Sequence, residues 1–275
     1  MNQIRIDQVR APQTRSVEEQ QQFLRDNHTP LDLFATSNFE RVHSVQVDAQ
    51  RVDIPSFSAE QKAQLATIAA RVPAGNRDAV NGALNSLTDA IYTAAPTYVP
   101  GATIDSGLTQ AYDESFQVYM THSGHDQRDA ATREFMFVAM AGFEKDIADF
   151  GLMVSDKTTQ SRGTREEVAE LQDLLKEWPE EPTTLTEEFT WTQVTFNDDG
   201  TINTQEVTQN LSKAQAESLL TELENTQSSL REMTELQTFD LQSMVESWQQ
   251  AISLLSAIFE DQHKTREAMI ANAKA

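Results

Sequence analysis

The 275-residue chain contains no cysteine. This absence excludes a disulfide framework, thiol catalysis and cysteine-based zinc or iron–sulfur sites. Basic residues are also scarce, because 21 Lys and Arg stand against 43 Asp and Glu and give a formal net charge of −22. No stretch of Lys and Arg is long enough to neutralise a run of phosphates, so we expect no nucleic-acid partner.

Aromatic residues and long apolar segments are scarce as well. Aromatics make up 7% of the chain, which suits a solvated, helix-rich, elongated molecule better than a dense α/β core. The longest apolar run, residues 135–143, has nine residues, whereas a membrane-spanning helix needs about twenty. Residues 1–7 lack the apolar segment of a cleaved signal peptide. We therefore expect a cytosolic protein, or one exported without such a signal.

Residues 201–275 contain neither glycine nor proline. Ser212 can cap a helix at its free amides, and Gln215, three residues later, can complete a capping box. From there, apolar residues return at heptad spacing almost to the end of the chain. A helix of this length cannot bury its apolar stripe alone, so it needs a partner helix in this chain or in another copy.

Two columns of residues spaced seven apart form the a and d positions of a predicted coiled coil. Gln227, Thr234 and Gln237 interrupt the columns near their start, which weakens the helix contact locally but favours one register. The apolar members are the candidate assembly residues, namely Leu220, Leu223, Leu230, Leu241, Met244, Trp248, Leu255, Ile258 and Met269.

Turn residues and breaks in periodicity divide the rest of the chain. They predict a mainly α, elongated fold, in which a long antiparallel helical coiled coil carries an N-terminal helical hairpin and a small β-hairpin insertion. A weak point is expected at residues 158–163. The predicted segments are a flexible leader at 1–55, dispensable for folding, a helical hairpin region at 56–123, long central helices at 124–178, a small mixed insertion at 179–210 and the coiled-coil helix at 211–275.

Sequence motifs for chemistry are nearly absent. His122 and His125 can supply metal ligands, but an interhelix turn with glycine is an equally good place for solvated histidines. The glycines do not form a phosphate-binding loop followed by Lys, and the adjacent acidic pairs Glu166–Glu167 and Glu180–Glu181 are typical of solvated faces. We expect no catalytic residue, no cofactor and no bound metal.

Taken together, these segments resemble a known family. Their order and character, with the stretches at 230–237 and 241–256, resemble the needle-tip or hydrophilic translocator proteins of bacterial type III secretion systems. The resemblance implies a secreted virulence protein, cytoplasmic before export and later at the bacterial surface, with an uncleaved export signal in the leader. It implies self-assembly at the needle tip and contact with the needle subunit, hydrophobic translocator proteins and the host membrane surface. Residues 258–275 would contact the needle or neighbouring copies, and the N-terminal hairpin would shield them before export.

Two other classes of function are compatible with the same pattern. One is a secreted α-helical effector or toxin that binds a host protein or membrane, with residues 135–143 as the membrane-contacting element. The other is a cytosolic coiled-coil adaptor. Secretion that depends on a functional needle would favour the tip protein or the effector. Indifference to the needle would favour the adaptor.

Overall fold

The computed structural model describes residues 15–35, 44–47, 50–53, 57–179, 185–197 and 200–273. These residues form a mainly helical fold with a small antiparallel β-hairpin, which confirms the predicted fold class. In chain order the elements are α1 (Val17–Asp26), β1 (Ser44–Val47), β2 (Gln50–Asp53), α2 (Ala59–Arg71), α3 (Arg77–Ala94), α4 (Ser106–His122), α5 (Arg128–Glu177), β3 (Glu187–Phe196), β4 (Ile202–Leu211) and α6 (Lys213–Ala273).

The described residues divide into two compact units. The first contains residues 15–35, 57–148 and 242–273, and the second contains those of 44–53 and 149–241. The two long helices, α5 and α6, each contribute one part to each unit.

The first unit is built on the helical hairpin that the sequence predicts. Ser58 caps α2 through a capping box with Gln61, and residues 73–76 turn the chain into α3. Apolar residues at helical spacing on α3 are fully buried, as expected for a helix with one core-facing stripe. An aromatic cluster joins α4 to α5, because the Phe135 ring lies 5.1 Å from Tyr119 and 5.5 Å from Phe116 between centroids.

The segment around α1 differs from the expected flexible leader. Ser16 caps α1 in a capping box with Glu19. Leu24, Leu31 and Leu33 are each at most 1% exposed, so this segment belongs to the core of the first unit. Its apolar residues are too few to give a periodic pattern, which is why the sequence alone suggested a solvated leader.

Side chains of α3 satisfy the backbone of this segment. The Leu31 amide donates to Asn85 Oδ1 at 2.8 Å, and the Leu33 amide donates to Asn81 Oδ1 at 3.1 Å. Asn81 and Asn85 lie one helical turn apart on α3, so one face of that helix binds an extended chain without a β-strand.

The predicted leader also contains a β-hairpin. Strands β1 and β2 pair antiparallel, with Ser44 opposite Asp53 and Val47 opposite Gln50. Together with α1, this hairpin places regular structure inside the predicted 1–55 segment. Residues 1–14, 36–43, 48–49 and 54–55 of that segment lie outside the described residues.

Helix α5 runs without interruption through residues 158–163, where the sequence predicted a weak point. Thr158 keeps the helical pattern by donating its hydroxyl to the Val154 carbonyl at 2.9 Å, and Thr164 is fully buried. Gly163 costs about 1 kcal/mol of helix propensity relative to Ala. Burial of the residues that follow it outweighs that cost.

The β-hairpin of the predicted insertion consists of two ten-residue strands, β3 and β4. Glu187 pairs with Leu211 at one end and Phe196 with Ile202 at the other. Gly200 has a positive φ of 79° in the connecting loop, a backbone conformation that glycine adopts without strain.

Burial of the N-terminal segment generates a prediction. Leu31→Ala removes a fully buried side chain and should lower the free energy of unfolding by about 2–5 kcal/mol. Ser86→Ala, at an exposed position on α3, should change it by less than about 0.5 kcal/mol. Urea unfolding of both variants measures the difference, and equal midpoints would support a dispensable leader instead.

Candidate functional site

The candidate site is helix α6, whose start follows the predicted cap in part. Gln215 Oε1 accepts hydrogen bonds from the Ser212 amide at 2.9 Å and from its hydroxyl at 2.8 Å. The Ser212 hydroxyl therefore donates to Gln215 instead of accepting from a helix amide. The glutamine half of the predicted capping box is present.

In the second unit, α6 buries its apolar stripe against α5. Leu223 is 2% exposed and lies in one cluster with Leu171 of α5 and Phe189 of β3. Leu230 and Leu241 are fully buried, and Leu220 packs at the edge of the cluster as a half-buried side chain. Because this burial occurs within a single chain, the partner helix at these positions is intramolecular.

The polar positions of the predicted coiled coil have specific partners in the second unit. Lys157 of α5 is fully buried and donates its ammonium group to Gln237 Oε1 at 2.7 Å. Nearer the start of α6, Gln172 of α5 donates to Glu224 at 3.2 Å. Since the later residue of α5 contacts the earlier residue of α6, the two helices are antiparallel here. A buried polar pair of this kind penalises shifted registers.

In the first unit, Met244, Leu255 and Ile258 are buried to 2% exposure or less, and Trp248 is half-buried. The side chain of Met269 lies outside those that the structure describes. The stripe of α6 is therefore covered here too by the same chain.

Segments from the N-terminal half of the chain cover this part of α6. Gln20 of α1 donates to the Ser247 hydroxyl at 2.9 Å, and Gln262 donates to Asp113 of α4 at 3.0 Å. Between these contacts an open cleft of about 120 Å³ lies against Leu254. The loop before α4 and the start of α4 line the rest of the cleft.

Sequence reasoning missed a third set of buried positions on α6. They adjoin the two heptad columns and mix small, polar and apolar side chains, which hides them from an apolar count. The set comprises Ala216, Leu219, Thr238, Ser247 and Leu254. Large apolar side chains on the outer face of the helix are Leu236, 63% exposed, and Phe239, 38% exposed.

The two histidines considered as metal ligands contact different groups. His122 is half-buried, and its Nδ1 donates to the Val118 carbonyl of its own helix at 2.8 Å. His125 Nε2 lies 2.6 Å from Glu134 Oε2. Within the described part of the chain, no group of three His, Asp or Glu side chains is placed to hold a metal ion.

Glu134 instead fixes the turn between α4 and α5 to α2. The Arg71 guanidinium binds both oxygens of its carboxylate, and the Tyr119 hydroxyl donates to Oε2 at 3.3 Å. Burial opposes ionisation of Glu134, but the hydrogen bonds from Arg71 and His125 outweigh it and lower the pKa of the carboxyl. The arrangement is a structural ion-pair network.

A second buried carboxylate was not found from the sequence. Asp146 on α5 is 1% exposed and accepts three hydrogen bonds, from the Tyr92 hydroxyl at 2.7 Å, His28 Nδ1 at 2.8 Å and the Thr29 amide at 2.9 Å. Its donors come from the N-terminal segment and from α3. The sequence signal was a single acidic residue inside an apolar helix face.

The charge of Asp146 changes the titration of its neighbours. Burial lowers the proton affinity of His28, but the hydrogen bond and charge of Asp146, assisted by Asp89, raise its pKa above the ordinary value of 6.5. Burial and the same carboxylate raise the pKa of Tyr92 well above 10. Tyr92 is therefore a neutral donor, and the carboxylate favours the protonated form of His28.

Comparison of the chain with protein-family models, with curated proteins and with solved structures finds no match. In the part of the chain that the structure describes, no helix has the combined length and apolar character needed to cross a membrane.

The buried stripe of α6 generates a second prediction. Leu255→Asp places a charge at a fully buried position. Loss of the apolar contact alone should cost about 2–5 kcal/mol of unfolding free energy, and burial of the carboxylate adds to that loss. Glu246→Ala, at an exposed position of the same helix, should change stability by less than about 0.5 kcal/mol. Similar melting temperatures for the two variants would contradict a packed stripe.

The Asp146 cluster generates a prediction about pH. Because the folded-state pKa of His28 is raised, its stabilising effect is fully present below 6.5 and is lost as the pH rises through the folded-state pKa. Asp146→Asn removes the charge that holds the proton. It should therefore lower the free energy of unfolding by about 1.5–3 kcal/mol at about pH 6 and by less at about pH 9.

Asp156→Asn is the matched control, because Asp156 is an exposed carboxylate on the same helix. It should have a small effect that is alike at both pH values. Urea titrations of both variants and the parent protein measure the losses. An Asp146→Asn loss that did not change with pH would show that His28 carries no charge in the folded protein.

Proposed function

We propose that the protein is a secreted, self-assembling needle-tip or hydrophilic translocator protein of a bacterial type III secretion system, which supports translocator insertion and effector delivery into host cells. The observation that carries the proposal is the cover on α6. Two long helices flank a β-hairpin in the chain, and the stripe near the end of the second is covered by segments from the N-terminal half.

The nature of this cover supports exchange of one partner for another. The Gln20–Ser247 hydrogen bond joins two uncharged side chains and contributes about 0.5–1.5 kcal/mol. The Gln262–Asp113 hydrogen bond is accepted by a carboxylate and contributes about 1.5–3 kcal/mol. A cleft borders the cover beside Leu254, although Leu254 itself is only 2% exposed. Displacement of the loop before α4 would expose Leu254 to a helix of the needle subunit or of a neighbouring copy.

The second unit supplies the part that stays together in this proposal. Its helices are joined by the apolar cluster around Leu171 and Leu223 and by the buried Lys157–Gln237 pair. The absence of cysteine suits a chain that is threaded unfolded through a needle and then refolds. The proposed partners are further copies of the chain, the needle subunit, hydrophobic translocator proteins and the host membrane surface, and we propose no enzymatic activity and no nucleic-acid partner.

Residues 135–143 give less support to a membrane-binding toxin. Phe135, Val138 and Phe143 are fully buried in the first unit, so this run can contact lipid only after the unit opens. The tip proposal requires displacement of one covering segment and leaves the aromatic cluster of Phe135 in place.

Needle-dependent export is the expected outcome for the tip proposal. The protein should be found in the culture supernatant and on the cell surface of a strain with a functional needle, and only inside cells of a strain without one. A cytosolic enzyme measured in the same fractions controls for lysis. Equal amounts outside both strains would exclude the tip proposal, and retention inside both would favour the cytosolic adaptor. Needle-dependent release with no tip-bound fraction would favour the effector.

A chain lacking residues 2–14 separates export from folding. It retains Ser16, which caps α1, and the buried Leu24, Leu31 and Leu33 of the N-terminal segment, so its melting temperature should equal that of the parent. The same chain should remain inside the cells, since the proposed export signal lies in the deleted segment. Efficient export of this variant would remove the signal from these residues.

A further inference from the structure

The outer edge of strand β4 is open to another chain. Within the described residues, β3 and β4 form a two-stranded sheet with no further strand beside β4. Residues 203–206 and 208–210 of β4 have exposed side chains on both faces of the sheet. Backbone N–H and C=O groups along such an edge can pair with an added strand.

Two hydrogen bonds show which β4 residues direct their backbone groups to this edge. The Thr192 amide of β3 donates to Glu167 of α5 at 2.9 Å, so it points away from β4. Thr192 stands opposite Glu206 in the ladder. In an antiparallel pair, a residue that points away from its neighbour faces one that does the same, so the N–H and C=O of Glu206 point to the outer edge.

A hydrogen bond at the loop between β3 and β4 gives the same alternation of inward- and outward-directed residues independently. The Asn197 amide donates to the Thr201 carbonyl at 3.0 Å, which makes these two residues the first hydrogen-bonded pair. Pairs alternate along the ladder, so each second residue counted from there is directed inward. The outward-directed residues of β4 are therefore Ile202, Thr204, Glu206, Thr208 and Asn210.

The strand lacks the features that usually prevent edge pairing. β4 contains no proline, no lysine and no glycine in its ten residues, and Glu206 is its only charged residue. Proline, inward or edge charges and short length are the common protections of an exposed edge. The carboxylate of Glu206 therefore decides in which register an identical strand can pair with β4.

We infer that β4 pairs antiparallel with β4 of a second copy, about a two-fold axis at Val207. In an antiparallel pair across this edge, the outward-directed residues of one strand stand opposite the outward-directed residues of the other. The two registers that overlap almost the whole of β4 therefore have their two-fold axis at Glu206 or at Val207. An axis at Glu206 would place the two carboxylates directly opposite each other, which is destabilising. An axis at Val207 places Glu206 opposite Thr208 and Thr204 opposite Asn210, with the two Val207 side chains in contact.

The product is a four-stranded antiparallel sheet shared by two copies. The contact is isologous, because the same strand serves on both sides and the two-fold axis closes the assembly at two. This inference does not rest on the proposed function. It uses a different surface from the stripe of α6, and it holds or fails whether or not the protein is exported.

Charge substitutions at Thr208 test both the contact and its register. Thr208 is exposed, and in the inferred dimer it faces Glu206 of the second copy. Thr208→Lys should tighten dimerisation by about threefold to tenfold, since two opposite-charge pairs form by symmetry, and Thr208→Glu should weaken it by a similar factor. Sedimentation equilibrium over micromolar to submillimolar protein concentrations measures both constants against the parent.

Matched controls exclude a general effect of net charge. Ser228→Lys and Ser228→Glu make the same charge changes at an exposed position of α6 and should differ from each other by less than the Thr208 pair. Glu206→Pro removes an outward N–H while leaving the inward ladder bonds in place, so it should abolish dimerisation and keep the helical circular-dichroism spectrum.

A parent protein and a Thr208→Lys variant that both remain monomeric would overturn the inference. Thr208 variants that shift dimerisation in the same direction, or only as much as the Ser228 variants do, would also overturn it. Sedimentation reports the dimer and the needle-deficient strain reports export, so failure here is distinguishable from failure of the tip proposal.

Discussion

The first unit depends on the burial of one carboxylate. Asp146 is enclosed on α5, and a buried carboxylate is tolerated only when hydrogen bonds and an opposite charge replace its water. Tyr92 of α3 and the backbone of Thr29 supply two of the donors, and His28, whose pKa the carboxylate raises, supplies the third. Because these donors come from separate parts of the chain, the carboxylate can be satisfied only when the N-terminal segment, α3 and α5 are assembled together. The requirement explains why a segment so poor in apolar residues is nevertheless part of the core.

The apolar stripe of helix α6 is buried in both units, but the groups that cover it differ between the two. In the second unit the cover is an apolar cluster reinforced by the buried Lys157, whereas near Leu254 it includes individual side-chain hydrogen bonds and borders an open cleft. Opening the cluster would leave a buried ammonium group without its partner, which is costly. Opening the cover near Leu254 exposes mainly apolar surface, which another helix can bury again. This contrast favours exchange of partners at the later part of α6.

The sequence predicted those elements whose signals are local. The helical hairpin region predicted at 56–123 contains α2, α3 and α4, and the start of α6 was found from Ser212. The misses have a common cause, since they concern polar residues whose partners are distant in the chain. Asp146, Lys157 and Asn85 read as surface residues until the fold brings His28, Gln237 and Leu31 to them. The continuity of α5 through 158–163 was missed because tertiary burial outweighs local propensity.

The acidic composition also affects pairing at the open edge of β4. A net charge of −22 opposes association of two copies at long range, but salt screens such repulsion over about 8 Å at physiological ionic strength. Backbone hydrogen bonds between strands act at about 3 Å, well inside that distance. Global charge therefore slows approach of two copies but does not select among registers once they meet. That selection falls to contacts within the strand, where Glu206 is the only charged group. A strand that carried several charges would be protected from pairing, and one that carried none would pair in several registers, whereas a single carboxylate beside the centre of the strand leaves one favoured register.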